Sequence, residues 1–260
     1  RKINYLRVSV TDRCNLRCTY CMPAEGVQLT DHKDILRFHE ILDVVNYAVS
    51  LGVDKVRITG GEPLVRNGII DLVAKIAEID GIKDFGMTTN GLLLNEYAQA
   101  LANAGLHRVN ISLDTLDPVK YNQITRVGDI NRVFAGINAA KQAGLTPIKI
   151  NCVIKKSSDE PDAVEVAKFC NENDLQIRYI KEMDLETGSF GIVQGGTGGN
   201  CLICNRLRLT AKGDVLPCLF SDSRYNIREL GIEKAFELAL ETKPETGHCA
   251  KETKFYNVGG

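Results

Sequence analysis

The sequence has almost no net charge, because 33 aspartates and glutamates offset 32 lysines and arginines and leave −1 at pH 7. A near-neutral chain lacks the positive field with which proteins attract nucleic acids or anionic membrane surfaces. The sequence also has no apolar run long enough to span a bilayer and no signal-peptide pattern at its start. We therefore expect a cytoplasmic protein that binds neither membrane nor nucleic acid.

Cysteine, by contrast, is plentiful, with nine in 260 residues. Nine cysteines in an exported protein would suggest disulfides with one left over, whereas clustered cysteines in a chain without an export signal more often bind metal. The four histidines show no ligand spacing. We expect an oxygen-sensitive protein in a reducing compartment, with one large α/β domain or two ordinary domains.

Three cysteines lie within eight residues. Cys14, Cys18 and Cys21 have the spacing C-x3-C-x2-C, directly after a strand-like run. Thiolates at this density suit an iron–sulfur cluster, and a four-iron cubane normally takes four cysteines. One iron would then lack a protein ligand, much as catalytic zinc sites keep one position open. The alternatives are a zinc knuckle or three unrelated thiols.

The spacing of these cysteines resembles the signature of the radical S-adenosylmethionine (SAM) superfamily. Tyr20, an aromatic residue just before the last cysteine, adds to the match and is expected at the cofactor. The resemblance implies that SAM chelates the open iron and that one electron then cleaves it to a 5′-deoxyadenosyl radical.

Strand-like and amphipathic helical runs alternate along the chain. The predicted strands are 5–10, 55–59, 84–88, 108–113, 147–153 and 176–181. The predicted helices are 35–51, 69–79, 95–104, 130–143 and 161–173. This order is typical of parallel βα units. We expect an α/β fold, a partial (β/α)6 radical SAM barrel over 1–183, with a C-terminal cluster-binding appendage over 184–260 that closes the barrel mouth.

The predicted strands have one apolar and one polar face, and the polar face is rich in arginine and lysine. Arg7, Arg57, Lys149 and Arg178 lie on it. An eight-stranded barrel of the ordinary kind fills its interior with branched apolar side chains. A cationic face predicts instead a polar cavity that suits an anionic ligand. The alternative is that these charges lie at strand ends and are merely solvated.

Polar motifs follow the second, third and fourth strands. The run Thr59-Gly60-Gly61-Glu62-Pro63 resembles the GGEP element of radical SAM proteins, whose backbone pairs with the SAM amino group. Active sites of βα barrels lie at the C-terminal strand ends, although each motif alone is also compatible with a turn or a helix cap. By resemblance, the residues expected to contact SAM are Gly60, Gly61, Glu62, Thr89, Asn90 and Ser112.

A second cysteine triad lies near the C-terminus. Cys201, Cys204 and Cys218 have the spacing C-x2-C-x13-C, and a predicted hairpin separates the last two. The pattern suits a second cluster, but it also describes a zinc ribbon with His248 or Cys249 as fourth ligand. The spacing alone does not decide between them.

Taken as a whole, the chain resembles the GTP 3′,8-cyclase family of molybdenum cofactor biosynthesis. The resemblance covers 4–182, resumes at 190–192, includes the second triad and ends at 256–260. It implies two [4Fe-4S] clusters and SAM as cofactors, with the second cluster bound to the guanine of GTP. It implies removal of the ribose 3′ hydrogen and addition of C3′ to C8, which gives (8S)-3′,8-cyclo-7,8-dihydroguanosine 5′-triphosphate.

The resemblance also assigns residues and partners. The residues expected to hold the nucleotide are Arg7, Arg57, Lys149, Arg178, Arg206 and Arg208, of which Arg57 comes from the cavity argument alone. Arginine and lysine are the usual phosphate partners. Arg206, Arg208, Gly259 and Gly260 are expected at the reacting end. The implied partners are an external electron donor and a downstream enzyme that forms the cyclic pyranopterin. A homodimer is a further prediction, although the sequence does not give the oligomeric state.

One segment departs from the family. Between Asp184 and Cys201 the family carries a longer stretch, which is reduced here to a run ending in the glycine-rich residues 194–200. It lacks the Gly-Lys-Ser/Thr ending of a phosphate loop, so we interpret it as a flexible connector. The alternatives to a GTP cyclase are a radical SAM enzyme acting on a peptide or RNA, with a relay cluster, and a zinc-ribbon module fused to an inactive barrel.

Overall fold

A computed structural model describes residues 2–258, and nine strands of this part form one sheet in the order β6-β5-β4-β3-β2-β1-β7-β8-β9. The strands are β1 (Tyr5–Ser9), β2 (Lys55–Thr59), β3 (Asp84–Thr89), β4 (Arg108–Ser112), β5 (Lys149–Ile154), β6 (Gln176–Lys181), β7 (Arg206–Leu209), β8 (Asp214–Leu216) and β9 (Tyr225–Asn226). The helices are α1 (Phe38–Ser50), α2 (Ile69–Ala77), α3 (Leu94–Asn103), α4 (Pro118–Thr125), α5 (Ile130–Gln142), α6 (Pro161–Glu172), α7 (Ile227–Leu230), α8 (Ile232–Glu241) and α9 (Phe255–Val258).

The first six strands are parallel neighbours, which confirms the predicted α/β architecture. Side chains alternate across each strand, so one face of β1 buries Leu6 and Val8 against the helices while Arg7 points to the other side. The same alternation runs through β5, in which Ile150 and Cys152 are fully buried. The main hydrophobic core therefore lies between the sheet and its helices, and the polar face is left for a site.

The C-terminal region extends this sheet. The predicted hairpin is present, since β7 and β8 pair antiparallel. The sequence analysis did not anticipate that β7 also pairs in parallel with β1, placing Arg206 beside Tyr5 and Arg208 beside Arg7. Two cationic residues of the appendage thereby continue the cationic face of the barrel. Strands from both sides of residue 184 share one sheet, and the division into two domains stays a prediction.

Helix α4 was missed in the sequence because it has only a weak apolar stripe. Its start carries a different signal: the Asp117 carboxylate accepts hydrogen bonds from the backbone N–H groups of Val119 and Lys120, and Pro118 occupies the first turn. Among the described residues, no helix has both the length and the apolar character needed to cross a membrane.

Candidate active site

The first cysteine triad lines a cavity at the C-terminal ends of the strands. Cys14, Cys18 and Cys21 face it, together with residues of the predicted SAM motifs: Tyr20, Gly60, Gly61, Glu62, Thr89, Asn90 and Ser112. The structure thus brings the predicted cofactor residues to one place. Their individual roles toward SAM remain predictions.

The two glycines of the GGEP element position the cysteine loop. A side chain at Gly61 would overlap the Arg13 carbonyl, and one at Gly60 would lie 2.9 Å from the Thr11 carbonyl oxygen. The Gly61 N–H donates to the Thr11 carbonyl at 2.7 Å, and the Glu62 N–H donates to the Arg13 carbonyl at 2.8 Å. From the sequence, the backbone of this element was expected to pair with SAM; the close approach that the structure shows is to the loop that carries Cys14.

The C-terminal end of α4 holds the other side of the cysteine loop. The Thr19 N–H donates to the Ile124 carbonyl at 2.9 Å. The Arg126 guanidinium donates to the carbonyls of Arg17 and Met22 at 2.6 and 2.9 Å. The loop is therefore clamped between the turn after β2 and helix α4. Arg126 was not predicted from the sequence. The Asp117-Pro118 pair indicates the start of α4, and Arg126 directly follows the end of this helix.

Glu62 connects the ends of two strands rather than presenting a free carboxylate. Its oxygens accept hydrogen bonds from the Thr89 hydroxyl at 2.8 Å, the Asn90 N–H at 2.7 Å and the Leu64 N–H at 3.1 Å. Burial raises the pKa of Glu62 to about 7 against these three donors, which lower it. The network fixes Asn90, whose side-chain amide nitrogen lies 4.0 Å from the Cys14 sulfur and donates to the Asn15 side-chain oxygen Oδ1 at 2.8 Å.

The first triad has the donor chemistry of a cluster site. None of the nine cysteines, all of which lie among the described residues, forms a disulfide. Burial, reinforced by the neighbouring cysteines, raises the pKa of Cys18 to about 12, and burial likewise raises that of Cys21 to about 11. Thiolates at this place need a strong positive centre, which iron supplies. The Leu16 N–H, 3.4 Å from the Cys14 sulfur, is a hydrogen-bond donor of the kind that tunes cluster sulfurs. The residues therefore fit an iron–sulfur cluster.

A second cavity, of about 180 Å³, lies on the polar face of the sheet. Six cationic side chains line it: Arg7, Lys55, Arg57, Arg178, Arg206 and Arg208. Five of these are the predicted nucleotide-binding arginines, and Lys55 is an addition that sequence reasoning missed. Lys149 does not belong to this lining in the described part of the chain. Burial and nearby cations, Arg178 first, lower the pKa of Lys149 to about 8.

Several guanidinium groups in this cavity have buried N–H donors without a partner among the described residues. They include Nε and Nη2 of Arg7, Nε and Nη1 of Arg57, and Nε of Arg178 and of Arg206. Arg57 is the most deeply buried, at 1% exposure. Each unpaired buried donor costs about 1–3 kcal/mol. A ligand with several anionic oxygens would satisfy them, as a triphosphate does.

The carboxylate of Asp84 forms ion pairs with two cationic side chains in or near this cavity. Asp84 accepts from Arg108 at 2.6 Å and pairs with Lys55 at 2.8 Å. Burial alone would raise the pKa of Asp84, but these two partners lower it to about 2. Arg108 is thereby neutralised, whereas no carboxylate of the described residues pairs with Arg7, Arg57 or Arg178.

Tyr5 lies at the centre of the cationic wall. Its strand neighbours are Lys55 and Arg206, whose charged groups lie 5.0 and 5.9 Å from the centre of its ring. Its hydroxyl accepts from Arg7 at 3.5 Å. Burial raises the pKa of Tyr5, but the charges of Arg7, Arg57, Arg206 and Lys55 together outweigh burial and lower it to about 7. Sequence reasoning gave no role to this residue.

The second cysteine triad lines the cationic cavity. Cys201, Cys204 and Cys218 all face it, next to the arginines of β7. His248 and Cys249, the fourth ligands of the zinc-ribbon alternative, are exposed and are not part of the lining. No three histidine, cysteine, aspartate or glutamate side chains among residues 2–258 are close enough together to hold a single metal ion.

The two cavities adjoin. Asn151, Ile180 and Met183 line both of them. A ligand in the cationic cavity therefore lies next to the cavity of the first triad, as a reaction between two bound molecules requires. None of these three was identified in the sequence as a site residue, since two are ordinary strand residues and the third follows a strand.

Two further segments complete the cavities. The connector forms part of the cationic wall through Phe190, Val193 and residues 196–200, and it is fastened to β6 by a bridge between Tyr179 and Gln194. Phe255 and Tyr256 of α9 line the cavity of the first triad. The predicted residues Gly259 and Gly260, which follow α9, lie outside the described residues.

The sequence matches the model of the radical SAM superfamily over residues 8–170. It is 41% identical to the GTP 3′,8-cyclase of Alkaliphilus oremlandii, with 94% of this chain and 92% of the relative covered. It is 42% identical to that of Thermodesulfovibrio yellowstonii, with 88% and 86% covered. The alignment with the enzyme of Peptoclostridium acidaminophilum covers 100% of this chain over 314 positions, at 41% identity, so that relative has residues that the 260 here lack.

Solved structures share the fold at low sequence identity. SuiB of Streptococcus suis, bound to its precursor peptide SuiA, gives a TM-score of 0.68 at 20% identity, and the match covers 95% of this chain and 66% of SuiB. This chain thus spans slightly less than two thirds of that protein. The anSMEcpe structure with bound AdoMet gives 0.66 at 17% identity, with 90% and 80% covered. At these identities the likeness shows the fold alone.

Proposed function

The chain belongs to the radical SAM superfamily and, within it, to the GTP 3′,8-cyclases, and from this premise we propose that it converts GTP to (8S)-3′,8-cyclo-7,8-dihydroguanosine 5′-triphosphate in molybdenum cofactor biosynthesis. The observation that carries the proposal is the cavity of unpaired arginines adjoining the cavity of the first cysteine triad. The peptide-bound SuiB structure does not favour a peptide substrate here, because a peptide offers few anions to so many guanidinium groups.

The first triad would hold a [4Fe-4S] cluster that binds SAM at its open iron. When bound, the cluster and SAM together would supply a carbon radical that takes a hydrogen atom from the substrate. The chain's part is geometric: the turn at Gly61 and the guanidinium of Arg126 fix the cysteine loop relative to the strand ends. The loop would thereby hold the cluster at the cavity that adjoins the cationic cavity.

The cationic cavity would hold the triphosphate and the base. Arg7, Arg57 and Arg178 have unpaired donors for phosphate oxygens. The second triad would hold a [4Fe-4S] cluster near the guanine, which fixes the base while the arginines fix the phosphates. Held at both ends, the nucleotide would have C3′ and C8 close together, and this proximity would be the main catalytic contribution of the protein.

The remaining partners follow from the atoms of the reaction. Two electrons are needed: one to generate the carbon radical from SAM and one, with a proton, to complete the product after the 3′ hydrogen has left with that radical and the C3′–C8 bond has formed. An external electron donor is therefore required, and a downstream enzyme consumes the cyclic nucleotide. The terminal glycines Gly259 and Gly260 and the two arginines of β7 are proposed at the reacting end.

The test is 5′-deoxyadenosine formation by the anaerobically reconstituted, reduced protein with SAM and each nucleoside triphosphate in turn. We expect GTP alone to raise it above the uncoupled background. The Cys218→Ala variant should keep the background and lose the response to GTP. Equal stimulation by ATP, or no response to any nucleotide, would contradict the proposed substrate while leaving the radical machinery intact.

A further inference from the structure

Lys243, just after α8, connects the two chain segments that carry the last cysteines of the second triad. Its ammonium group donates to the carbonyl oxygen of Arg206 at 2.8 Å and to that of Pro217 at 2.6 Å. Pro217 directly precedes Cys218, and Arg206 follows Cys204 by two residues. Burial alone would raise the pKa of Cys204, but nearby donors and cations, Lys243 among them, lower it. Two of the three N–H donors of this lysine are thereby matched with carbonyl oxygens beside the triad.

The lysine is itself held in place. The Thr242 hydroxyl accepts a hydrogen bond from the Tyr225 hydroxyl at 2.9 Å and donates to the Leu238 carbonyl at 2.7 Å. Phe236 of α8 packs edge-on against Tyr47 of α1, with the two ring centres 5.4 Å apart. The ammonium group is therefore fixed by the fold rather than by a flexible tail.

The chain after Lys243 closes on the opposite side of the triad. A side chain at Gly247 would lie 2.8 Å from the Phe220 Cβ and 3.4 Å from the Cys218 sulfur. The His248 N–H donates to the Phe220 carbonyl at 3.0 Å. The segment 243–248 thus passes against both Cys204 and Cys218 without supplying a ligand from its exposed His248.

We propose that Lys243 is the positioning residue of the second cluster: it holds the segments bearing Cys204 and Cys218 in register and places a positive charge against their sulfurs. This inference rests on the proposed second cluster. A fixed cation beside a cluster stabilises its reduced, more negative state and so raises its reduction potential. Lys243 holds the segments that carry the cluster's ligands and does not line the cationic cavity, so its effect on the reaction is indirect.

The experiment isolates the second cluster by replacing the first triad with alanines (Cys14→Ala, Cys18→Ala, Cys21→Ala). Iron, zinc and sulfide are then measured after anaerobic reconstitution, and the midpoint potential is measured by redox titration with electron paramagnetic resonance. Lys243→Met, which keeps the length of the side chain, should lower iron loading. In the protein that does load, the ratio of reduced to oxidised cluster at a fixed potential should fall at least tenfold. This corresponds to a midpoint potential lower by at least about 59 mV for one electron.

Two variants separate this role from a general loss of stability. Lys243→Arg keeps the charge. The midpoint potential of its cluster should therefore stay close to that of the wild type, even where iron loading falls. Lys234→Met removes an exposed lysine of α8 whose partner is Glu237 and should leave loading and potential unchanged. With the first triad intact, uncoupled SAM cleavage by the Lys243→Met protein reports that the barrel is folded.

Each outcome decides the inference. A second cluster with wild-type loading and potential in Lys243→Met overturns the role of Lys243 and leaves the proposed function standing. Zinc, or no metal, in the alanine background overturns the second cluster, and the inference with it. Reduced iron loading with an unchanged midpoint potential would show that Lys243 only holds the two segments together. It would overturn the proposed effect of its charge.

Discussion

Arg57 gives the sharpest test of whether the cationic cavity is built for an anion. It is 1% exposed, and its Nε and Nη1 have no partner among the described residues. Burial, followed by the charges of Arg108 and Arg7, lowers its pKa to about 10 although Tyr5 opposes the effect. In the ligand-free protein this side chain therefore destabilises the fold, at about 1–3 kcal/mol for each unpaired donor.

The variant Arg57→Met removes the charge and keeps much of the apolar stem. We expect the free energy of unfolding without nucleotide to rise by about 2–6 kcal/mol, because both lost donors, at about 1–3 kcal/mol each, had no partner. We expect the affinity for GTP to fall by roughly 10–100-fold, since a charge-assisted hydrogen bond contributes about 1.5–3 kcal/mol. Chemical unfolding and titration calorimetry measure the two quantities on the same preparation.

Arg108→Met is the matched control, because Arg108 is also buried but already bonds Asp84 at 2.6 Å. Its removal should destabilise the free protein by about 1–3 kcal/mol, since Asp84 loses a partner. It should weaken GTP binding less than Arg57→Met. If both variants destabilise the free protein equally and bind GTP like the wild type, the cavity is a structural network and the argument from unpaired donors is wrong.

Two further predictions concern neighbouring sites. Because the pKa of Tyr5 is lowered to about 7 by cations that a triphosphate would offset, GTP binding should return a proton to Tyr5 above that pH. The dissociation constant for GTP should therefore rise between about pH 7 and 8.5 in the wild type and change less in Tyr5→Phe, and calorimetry in buffers of different ionisation enthalpy should show the proton. An equal pH dependence in Tyr5→Phe would refute this linkage. Gly61→Ala should lower iron bound at the first triad severalfold, because its side chain would overlap the Arg13 carbonyl, whereas Gly144→Ala, which meets no atom within 4 Å, should lower stability without iron loss. Unchanged iron in Gly61→Ala would show that the turn does not position the cysteine loop.

The alternation along the strands predicted both the sheet and its cationic face, because side-chain direction repeats every two residues whatever the tertiary structure. The alternation identified Arg7, Arg57, Lys149 and Arg178, and the cavity lining contains all of them except Lys149. The parallel pairing of β7 with β1 was not predictable in the same way. A short strand carries no record of its partner, and the pair joins residues about 200 positions apart.

The helix α4 and the role of the paired glycines show a second limit. An apolar stripe predicts a helix that buries one face. In α4, however, the carbonyl groups at the C-terminal end and the guanidinium of Arg126 bind the cysteine loop. The glycines at 60 and 61 indicate close approach, but only the structure shows that the approaching atoms belong to the Thr11–Arg13 backbone. The reducing, cytoplasmic setting and the homodimer stay predictions.

The central claim is that a GTP molecule in the cationic cavity reacts at C3′ with a radical from the adjoining cavity. The most direct measurement uses GTP deuterated at the 3′ position, with SAM and the reconstituted, reduced protein, and follows deuterium by mass spectrometry. The account predicts that deuterium appears in 5′-deoxyadenosine and that the nucleotide product has lost it. Undeuterated 5′-deoxyadenosine formed at the same GTP-stimulated rate would contradict the claim, because the hydrogen would then come from another position.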